Sequence, residues 1–268
     1  MSEVILVERP ADGVVKITLN RPEQRNAFTH EMYDQLLAAF EQLRTDFATR
    51  VVILTGAGTA FCTGHDLRDA GPDPEEAAGL GGLYAKKAFL QRLSRIPVAM
   101  RGLPQPIIAA VNGPVAGIGY PLCLASDMAV AAQSAKFVNA IHNAGTGHEL
   151  GMSYLLPRQI GTQRAAELLL TARHVLADEA ERIGLVLKAV PDAELLDAVM
   201  EIATRIVANT PIGVWVTKQS MWLNQSAGSL EAAIEMEHRA VHISQATEDA
   251  TEKRMAFLEK RSPTFRLT

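Results

Sequence analysis

The sequence predicts an α/β fold, in which a parallel sheet built from βαβ units is followed by a helical C-terminal region. Apolar runs with strand character at 51–54 and 106–111 each lead into a glycine loop and then a helix-like segment. Strands that alternate with helices are typical of parallel sheets. Beyond about residue 200 the chain has helical periodicity only. We therefore expect a core over residues 1–200 and a helical region over 201–268.

The N-terminal part is expected to begin with a strand pair at 4–7 and 14–19, joined by a turn at 10–13. A helix is expected at 31–43, because four apolar residues fall on one of its faces: Met32, Leu36, Leu37 and Phe40. The elements that follow are a strand at 51–54, a mobile surface loop at 71–82, a helix at 83–101, and strands at 106–111, 127–131 and 136–138.

Helices dominate the last third of the chain. Ser229 is expected to be an N-cap, with Glu231 in the first helical turn. Such a helical region often serves as an oligomer surface. The expected helices are 165–171, 177–183, 195–208, 211–223, 229–245 and 248–260.

Composition excludes several classes of protein. The net charge is −4 and the basic residues are scattered, which argues against a nucleic-acid-binding protein. Two cysteines are too few for a disulfide framework or a zinc ribbon. The N-terminus lacks a signal-peptide pattern, and no apolar stretch approaches the ~20 residues of a membrane span. We therefore expect a cytoplasmic protein without a membrane partner.

Two glycine loops carry most of the chemical information, residues 61–67 (FCTGHDL) and 112–121 (NGPVAGIGYP). A strand, a glycine turn and a helix start expose backbone N–H groups that can hold an anion. Two such turns could supply converging donors for an enolate or a tetrahedral oxyanion. Neither loop has the GxGxxG pattern, which disfavours a dinucleotide-binding fold.

Five segments in order resemble the signatures of the crotonase (enoyl-CoA hydratase/isomerase) superfamily, and the resemblance covers essentially the whole chain. The segments are ITLNRP at 17–22 with NAF at 26–28, FCTGHDL at 61–67, NGPVAGIG at 112–119 with ASDM at 125–128, LLPRQIG at 155–161, and FLEKRSP at 257–263.

The resemblance implies a spiral core of ββα units and a C-terminal trimerisation region, assembled as a homotrimer or a dimer of trimers. It implies an acyl-CoA thioester as substrate, with coenzyme A as part of that substrate, and neither a separate cofactor nor a metal. By motif matching, the backbone N–H groups of His65 and Ile118 would form an oxyanion hole for the thioester carbonyl. The coenzyme A groove would be lined by Arg25, Ala27, Thr63, Gly64, His65, Asp66, Leu67 and Gly117.

The chain departs from the pattern of typical hydratases, which place one glutamate just after the second glycine loop and another further along. The matching positions hold Pro121 and Ile141, whose side chains cannot move a proton. Hydration of an enoyl thioester benefits from one group that activates water and another that handles the α-proton. A two-glutamate hydratase mechanism is therefore not expected.

Glu149 is the nearest acid that could replace them, at a position where dienoyl-CoA isomerases of the superfamily carry an aspartate. A single carboxylate could shuttle a proton and isomerise a double bond. Glu149 could also cap a helix beginning near Gly151 or form a salt bridge there, a role that does not exclude catalysis. His142 and His148 flank this segment as possible bases or as ordinary hydrogen-bonding histidines.

We therefore expect an enoyl-CoA hydratase/isomerase-like enzyme, with double-bond isomerisation favoured over hydration. One alternative is a β-diketone C–C hydrolase of the same fold, with His142 as base supported by Glu149. Another is a non-catalytic acyl-CoA-binding protein. Cys62 and Tyr120 are expected to be packing residues.

Overall fold

A computed structural model gives the structure of the protein and describes residues 3–69, 78–140, 145 and 147–267. The strands in this part of the chain are β1 (Ile5–Ala11), β2 (Val14–Leu19), β3 (Val51–Gly56), β4 (Ile107–Val111), β5 (Val115–Ala116), β6 (Met128–Ala132), β7 (Lys136–Val138), β8 (Val175–Leu176) and β9 (Lys188–Val190). A six-stranded sheet has the order β1-β2-β3-β4-β6-β9, and a smaller one the order β5-β7-β8. In the large sheet β1 and β2 are antiparallel, and the other neighbours are parallel.

Helices cover the large sheet and form the C-terminal region. They are α1 (His30–Arg44), α2 (Gly82–Leu93), α3 (Arg95–Gly102), α4 (Gly119–Ala125), α5 (Met152–Ile160), α6 (Thr162–Thr171), α7 (Ala177–Arg182), α8 (Leu195–Val207), α9 (Pro211–Asn224), α10 (Leu230–Gln245) and α11 (Glu248–Glu259). In the described part of the chain, no helix has both the length and the apolar character that a membrane span requires.

The large sheet is buried on both faces, which explains why its central strands are apolar throughout. Val52 and Leu54 belong to the larger core cluster, on the side of α1. Val51 and Ile53 point to the other side, where they join a second cluster with Val199 of α8. The parallel α/β core expected from the sequence is therefore confirmed.

Hydroxyl side chains define several helix starts. The Oγ1 of Thr29 accepts a hydrogen bond from the N–H of Met32 at 3.3 Å, at the start of α1. The Oγ of Ser229 accepts one from the N–H of Ala232 at 3.2 Å, so the predicted N-cap of α10 is confirmed.

The structure differs from the expectations at a helix and at a strand, and a third expectation lies mostly outside the described residues. The helix expected at 83–101 is two helices, α2 and α3, which meet at Ser94. Pro97 lies in the first turn of α3, where its missing N–H costs no helical hydrogen bond, but it would interrupt one continuous helix. Strand β9 was not expected, because it has only three residues and begins with Lys188. The loop expected at 71–82 lies largely outside the described residues, and its last residue begins α2.

A buried ion pair joins the C-terminal helices to the sheet. The Nζ of Lys218 in α9 lies 2.8 Å from Oδ2 of Asp127, just before β6. The same ammonium donates to the backbone carbonyls of Met100 at 3.1 Å and Gln105 at 2.9 Å. The indole N–H of Trp222 donates to the other oxygen of Asp127 at 2.6 Å. Helix α9 is thereby held to the edge of the core through fully partnered charges.

Candidate functional site

The two glycine loops, which follow the neighbouring strands β3 and β4, contact each other directly. Cys62 of the first loop forms a parallel β-bridge with Val115 of the second. The N–H of Ala116 donates to the carbonyl of Cys62 at 2.8 Å, and the N–H of Cys62 donates to the carbonyl of Pro114 at 3.3 Å. The loops are therefore joined as a short piece of sheet.

Glycine permits a close approach between the two loops at Gly64 and Gly117. Gly64 has a φ of 107° and Gly117 a φ of 51°, both in the left-handed region. A Cβ built on Gly117 would lie 2.7 Å from the Cα of Gly64, which is too close for any side chain. The two backbones can therefore come into contact here.

The residue after each glycine presents a free backbone N–H. Among the described residues, no acceptor takes the N–H of His65 or that of Ile118. Ile118 immediately precedes α4, and the described part of the chain after the first loop, up to residue 69, is a turn. The expectation that each loop leads into a helix is confirmed for the second loop. For the first loop it falls largely on residues 70–77, which lie outside the described residues. The two N–H groups still follow the point where Gly64 and Gly117 meet.

The imidazole of His65 contacts two further polar side chains. The hydroxyl of Tyr33 lies 2.8 Å from its Nδ1 and 3.2 Å from its Nε2. The Oε1 of Glu149 lies 3.5 Å from Nε2. Glu149, expected from the sequence as the remaining acid, therefore lies beside the residue whose N–H was expected in the oxyanion hole.

Tyr33 was missed by the sequence reasoning. It lies in α1 next to Met32, within a helix whose apolar face was identified only as core. Its ring is buried, and its pKa is raised far above the usual range by burial, with Cys62 and Glu149 adding to the effect. The available signal was the residue type, because a buried tyrosine hydroxyl usually finds a partner.

Asp66 anchors the first loop rather than facing outward. Its carboxylate accepts from the guanidinium of Arg68 at 3.0 Å and from that of Arg21 at 2.9 Å. These two arginines hold the pKa of Asp66 well below its usual range. The segment that contains Arg21 is thereby tied to the loop that carries His65.

The structure brings the residues expected in the coenzyme A groove together. The hydroxyl of Thr63 donates to the carbonyl of Arg25 at 3.2 Å. The guanidinium of Arg21 donates to the carbonyl of Ala27. The side chain of Leu67 is exposed at the end of the loop. These residues come from two separate segments, 21–28 and 61–67, that meet at one surface.

The side chain of Glu149 does not cap α5. The N-cap of α5 is Gly151, with a φ of 82° and no side-chain hydrogen bond. His148 lies on the other side of the chain, with its Nε2 3.1 Å from the carbonyl oxygen of Leu169. His142 and Ile141 lie outside the described residues.

The residues expected to pack in the core do so. Cys62 is fully buried, and burial raises its pKa to about 12, although the N–H groups of Gly64 and Gly119 point at its sulfur. The ring of Tyr120 packs on that of Phe137 at 5.6 Å between centroids. Pro121 is buried within α4.

Comparison with known proteins agrees with this architecture. The family model described as enoyl-CoA hydratase/isomerase matches residues 9–267. A probable enoyl-CoA hydratase, echA12, of Mycobacterium bovis is 43% identical over 264 residues, which cover 98% of this chain and 92% of that protein. The 1,2-epoxyphenylacetyl-CoA isomerase of Escherichia coli is 35% identical over 253 residues, covering 94% of this chain and 95% of that one.

Solved structures give the same result. The crystal structure of a probable enoyl-CoA hydratase/isomerase from Mycobacterium abscessus superposes with a TM-score of 0.91 at 38% identity and covers 98% of each chain. The expected crotonase-type fold is therefore confirmed. The chain belongs to the enoyl-CoA hydratase/isomerase family.

Proposed function

We propose that the protein isomerises a double bond in an enoyl-CoA thioester, with Glu149 as the group that transfers the proton. The observation that carries this proposal is the 3.5 Å approach of the Glu149 carboxylate to the ring of His65. This contact favours a mechanism in which one carboxylate, next to the two glycine loops, moves the proton. The relatives named as enoyl-CoA hydratase and as acyl-CoA isomerase support the same substrate class.

The chemistry needs one proton carrier and one anion site. With a 3-enoyl thioester, the carboxylate of Glu149 would remove a proton from the α-carbon, and the electron pair of that C–H bond would form a dienolate with its charge on the thioester oxygen. The N–H groups of His65 and Ile118 would stabilise this oxyanion, which is the role such donors play in acyl chemistry. Glu149 would then return the same proton to a different carbon. The reaction consumes no water, so Pro121 at the usual glutamate position is no obstacle.

We further propose that coenzyme A lies along the surface where residues 21–28 meet residues 61–67. Arg25, Ala27, Thr63 and Leu67 would line its path, and Gly64 and Gly117 would let the thioester approach the backbone. Asp66 would contribute by holding the loop through Arg21 and Arg68. Coenzyme A enters as part of the substrate, and we propose no resident cofactor or metal.

The β-diketone hydrolase is less well supported. It uses His142 as its base, and that residue lies outside the described residues. Glu149, its proposed supporting acid, is instead close to His65.

The test compares Glu149→Gln with the matched control Glu201→Gln, whose carboxylate is exposed on α8. Turnover of 3-enoyl-CoA and dienoyl-CoA substrates is followed by ultraviolet absorbance, and ligand binding by calorimetry. Glu149→Gln should lower kcat by about 10²–10⁴-fold, while binding and the control variant stay close to wild type. Unchanged turnover in Glu149→Gln would show that the assignment is wrong. Tight binding without turnover by the wild type would favour the acyl-CoA-binding alternative.

We also propose that residues 201–268 form the surface of a homotrimer or a dimer of trimers, in the cytoplasm. Helix α10 has no buried residue in the single chain. Large apolar side chains of this region are exposed, among them Leu230 and Phe257. Both cysteines are free and buried, as suits a reducing compartment.

A further inference from the structure

Three polar side chains from separate parts of the chain form a continuous line of contacts at the candidate site. Tyr33 comes from α1, His65 from the first glycine loop, and Glu149 from the segment before α5. The hydroxyl of Tyr33 is 2.8 Å from Nδ1 of His65, and Nε2 of His65 is 3.5 Å from Oε1 of Glu149. Tyr33 itself is buried, with 2% of its surface exposed.

The donor and the acceptor of the contact between Tyr33 and His65 can be assigned. Burial and the nearby Glu149 favour the protonated form of Tyr33, so its hydroxyl is a hydrogen-bond donor. The shorter contact is with Nδ1 rather than Nε2, at 2.8 Å against 3.2 Å. A neutral imidazole that accepts at Nδ1 carries its proton on Nε2. That N–H then faces the carboxylate of Glu149.

The imidazole is held in place by packing as well. The ring of His65 lies 5.5 Å from that of Tyr33 and 5.9 Å from that of Phe89 in α2, between centroids. The backbone of His65 is pinned by a parallel bridge to Phe28. The ring therefore has little freedom to turn its nitrogen atoms elsewhere.

We propose that Tyr33, acting through the imidazole of His65, is a positioning residue that orients the carboxylate of Glu149 toward the substrate. The proposal rests on the function proposed above, in which Glu149 carries the proton. A hydrogen bond from Nε2 of His65 to Oε1, for which the 3.5 Å separation needs only a small closing movement, would leave Oε2 free to face the substrate carbon. Tyr33 and His65 keep their own protons, and only the proton of the substrate moves to Glu149 and back. A carboxylate that serves two carbon atoms needs such a fixed orientation, because small misplacements lower rates strongly.

The experiment uses substitutions that keep the packing. Tyr33→Phe removes only the hydroxyl, and Tyr154→Phe is its matched control, since Tyr154 hydrogen-bonds Ser226 on the exposed face of α5. His65→Gln retains an acceptor for Tyr33 and a donor for Glu149, whereas His65→Leu retains neither. The readouts are kcat, KM and calorimetric affinity for a non-reactive acyl-CoA, on the full chain, with thermal unfolding as the check on folding.

Tyr33→Phe should lower kcat by about 10-fold and leave KM within about twofold, as expected for an interaction that acts on the transition state. His65→Leu should lower kcat further, and His65→Gln should restore most of it. In a Glu149→Gln background, Tyr33→Phe should change the residual kcat by less than about twofold, because the two residues act as one unit. A merely structural role for Tyr33 would lower kcat equally in both backgrounds.

Two outcomes separate this proposal from the proposed function. If Glu149→Gln is inactive while Tyr33→Phe and His65→Leu both retain the wild-type kcat, the positioning role is wrong and the proposed function stands. If Glu149→Gln is fully active, the proposed function is wrong, and so is any action of Tyr33 through that carboxylate. An additive effect of Tyr33→Phe in the Glu149→Gln background also overturns the proposal.

Discussion

Replacing Gly117 by alanine is expected to push the two glycine loops apart without altering any side chain proposed to carry chemistry. The new Cβ would lie 2.7 Å from the Cα of Gly64, whereas carbon atoms pack at about 3.5–4.0 Å. The loops must therefore separate by about 1 Å. The φ of 51° at Gly117 adds a strain of about 1–2 kcal/mol for any residue with a Cβ.

A displacement of this size acts on the spacing between the N–H groups of His65 and Ile118. Misplacement of reacting groups by about 1 Å can cost about 10²-fold in rate. We therefore expect Gly117→Ala to lower kcat for an isomerisable enoyl-CoA by about that factor, with a smaller change in KM. The backbone strain should lower the melting temperature by about 2–8 °C.

Gly184→Ala provides the matched control. Gly184 has a φ of 80°, but a Cβ there would meet nothing closer than the carbonyl oxygen of Gln159 at 3.9 Å. This variant should show a similar fall in melting temperature with unchanged kcat, measured on the same substrate and at the same protein concentration. If Gly117→Ala keeps its kcat within about threefold of Gly184→Ala, the spacing of the loops does not control turnover and the oxyanion-hole proposal loses its main structural support.

Three further measurements probe the fold and the assembly. Lys218→Met should lower the melting temperature by about 6–20 °C, because breaking a buried ion pair costs about 3–5 kcal/mol, whereas Lys87→Met, at an exposed position of α2, should not; equal melting temperatures in calorimetry would contradict this. Arg68 and Arg21 lower the pKa of Asp66. The ionised carboxylate of Asp66 therefore contributes its full stabilisation above about pH 4, and this stabilisation is lost as the pH falls further. The loss of unfolding free energy caused by Asp66→Asn should therefore become smaller in acid. A loss that does not depend on pH would refute this explanation. Light scattering should give three or six times the chain mass of 29.0 kDa, and a monomer would rule out the proposed assembly.

Much of the fold was predictable because its signals are local. Strands β3 and β4 are buried on both faces, so they are apolar at nearly every position and stand out from their glycine-rich surroundings. The start of α10 was predictable from Ser229, whose side chain makes the capping bond itself. Strand β9 has no such signal, since three residues that include Lys188 show no strand pattern. Its pairing depends on β6, which is distant in the sequence.

The candidate site was only partly predictable, for a related reason. The two glycine loops could be recognised because glycine is required where their backbones meet. The side chains around His65 come from distant segments, and no local pattern shows that Tyr33 reaches the first loop. Glu149 was identified by residue type, but whether it capped a helix or faced the site depended on tertiary packing.

Because the two native sulfur atoms are buried in the core, a cysteine introduced at the surface can be labelled selectively. Cys62 and Cys123 are the only cysteines in the sequence, and burial raises the pKa of both thiols. At neutral pH neither forms the thiolate that alkylating reagents attack. A cysteine introduced by Leu67→Cys, at a side chain that is 87% exposed beside the first glycine loop, would be the single reactive thiol of the chain. A fluorophore attached there would report the arrival of a ligand at the loop without labelling of the native sulfur atoms.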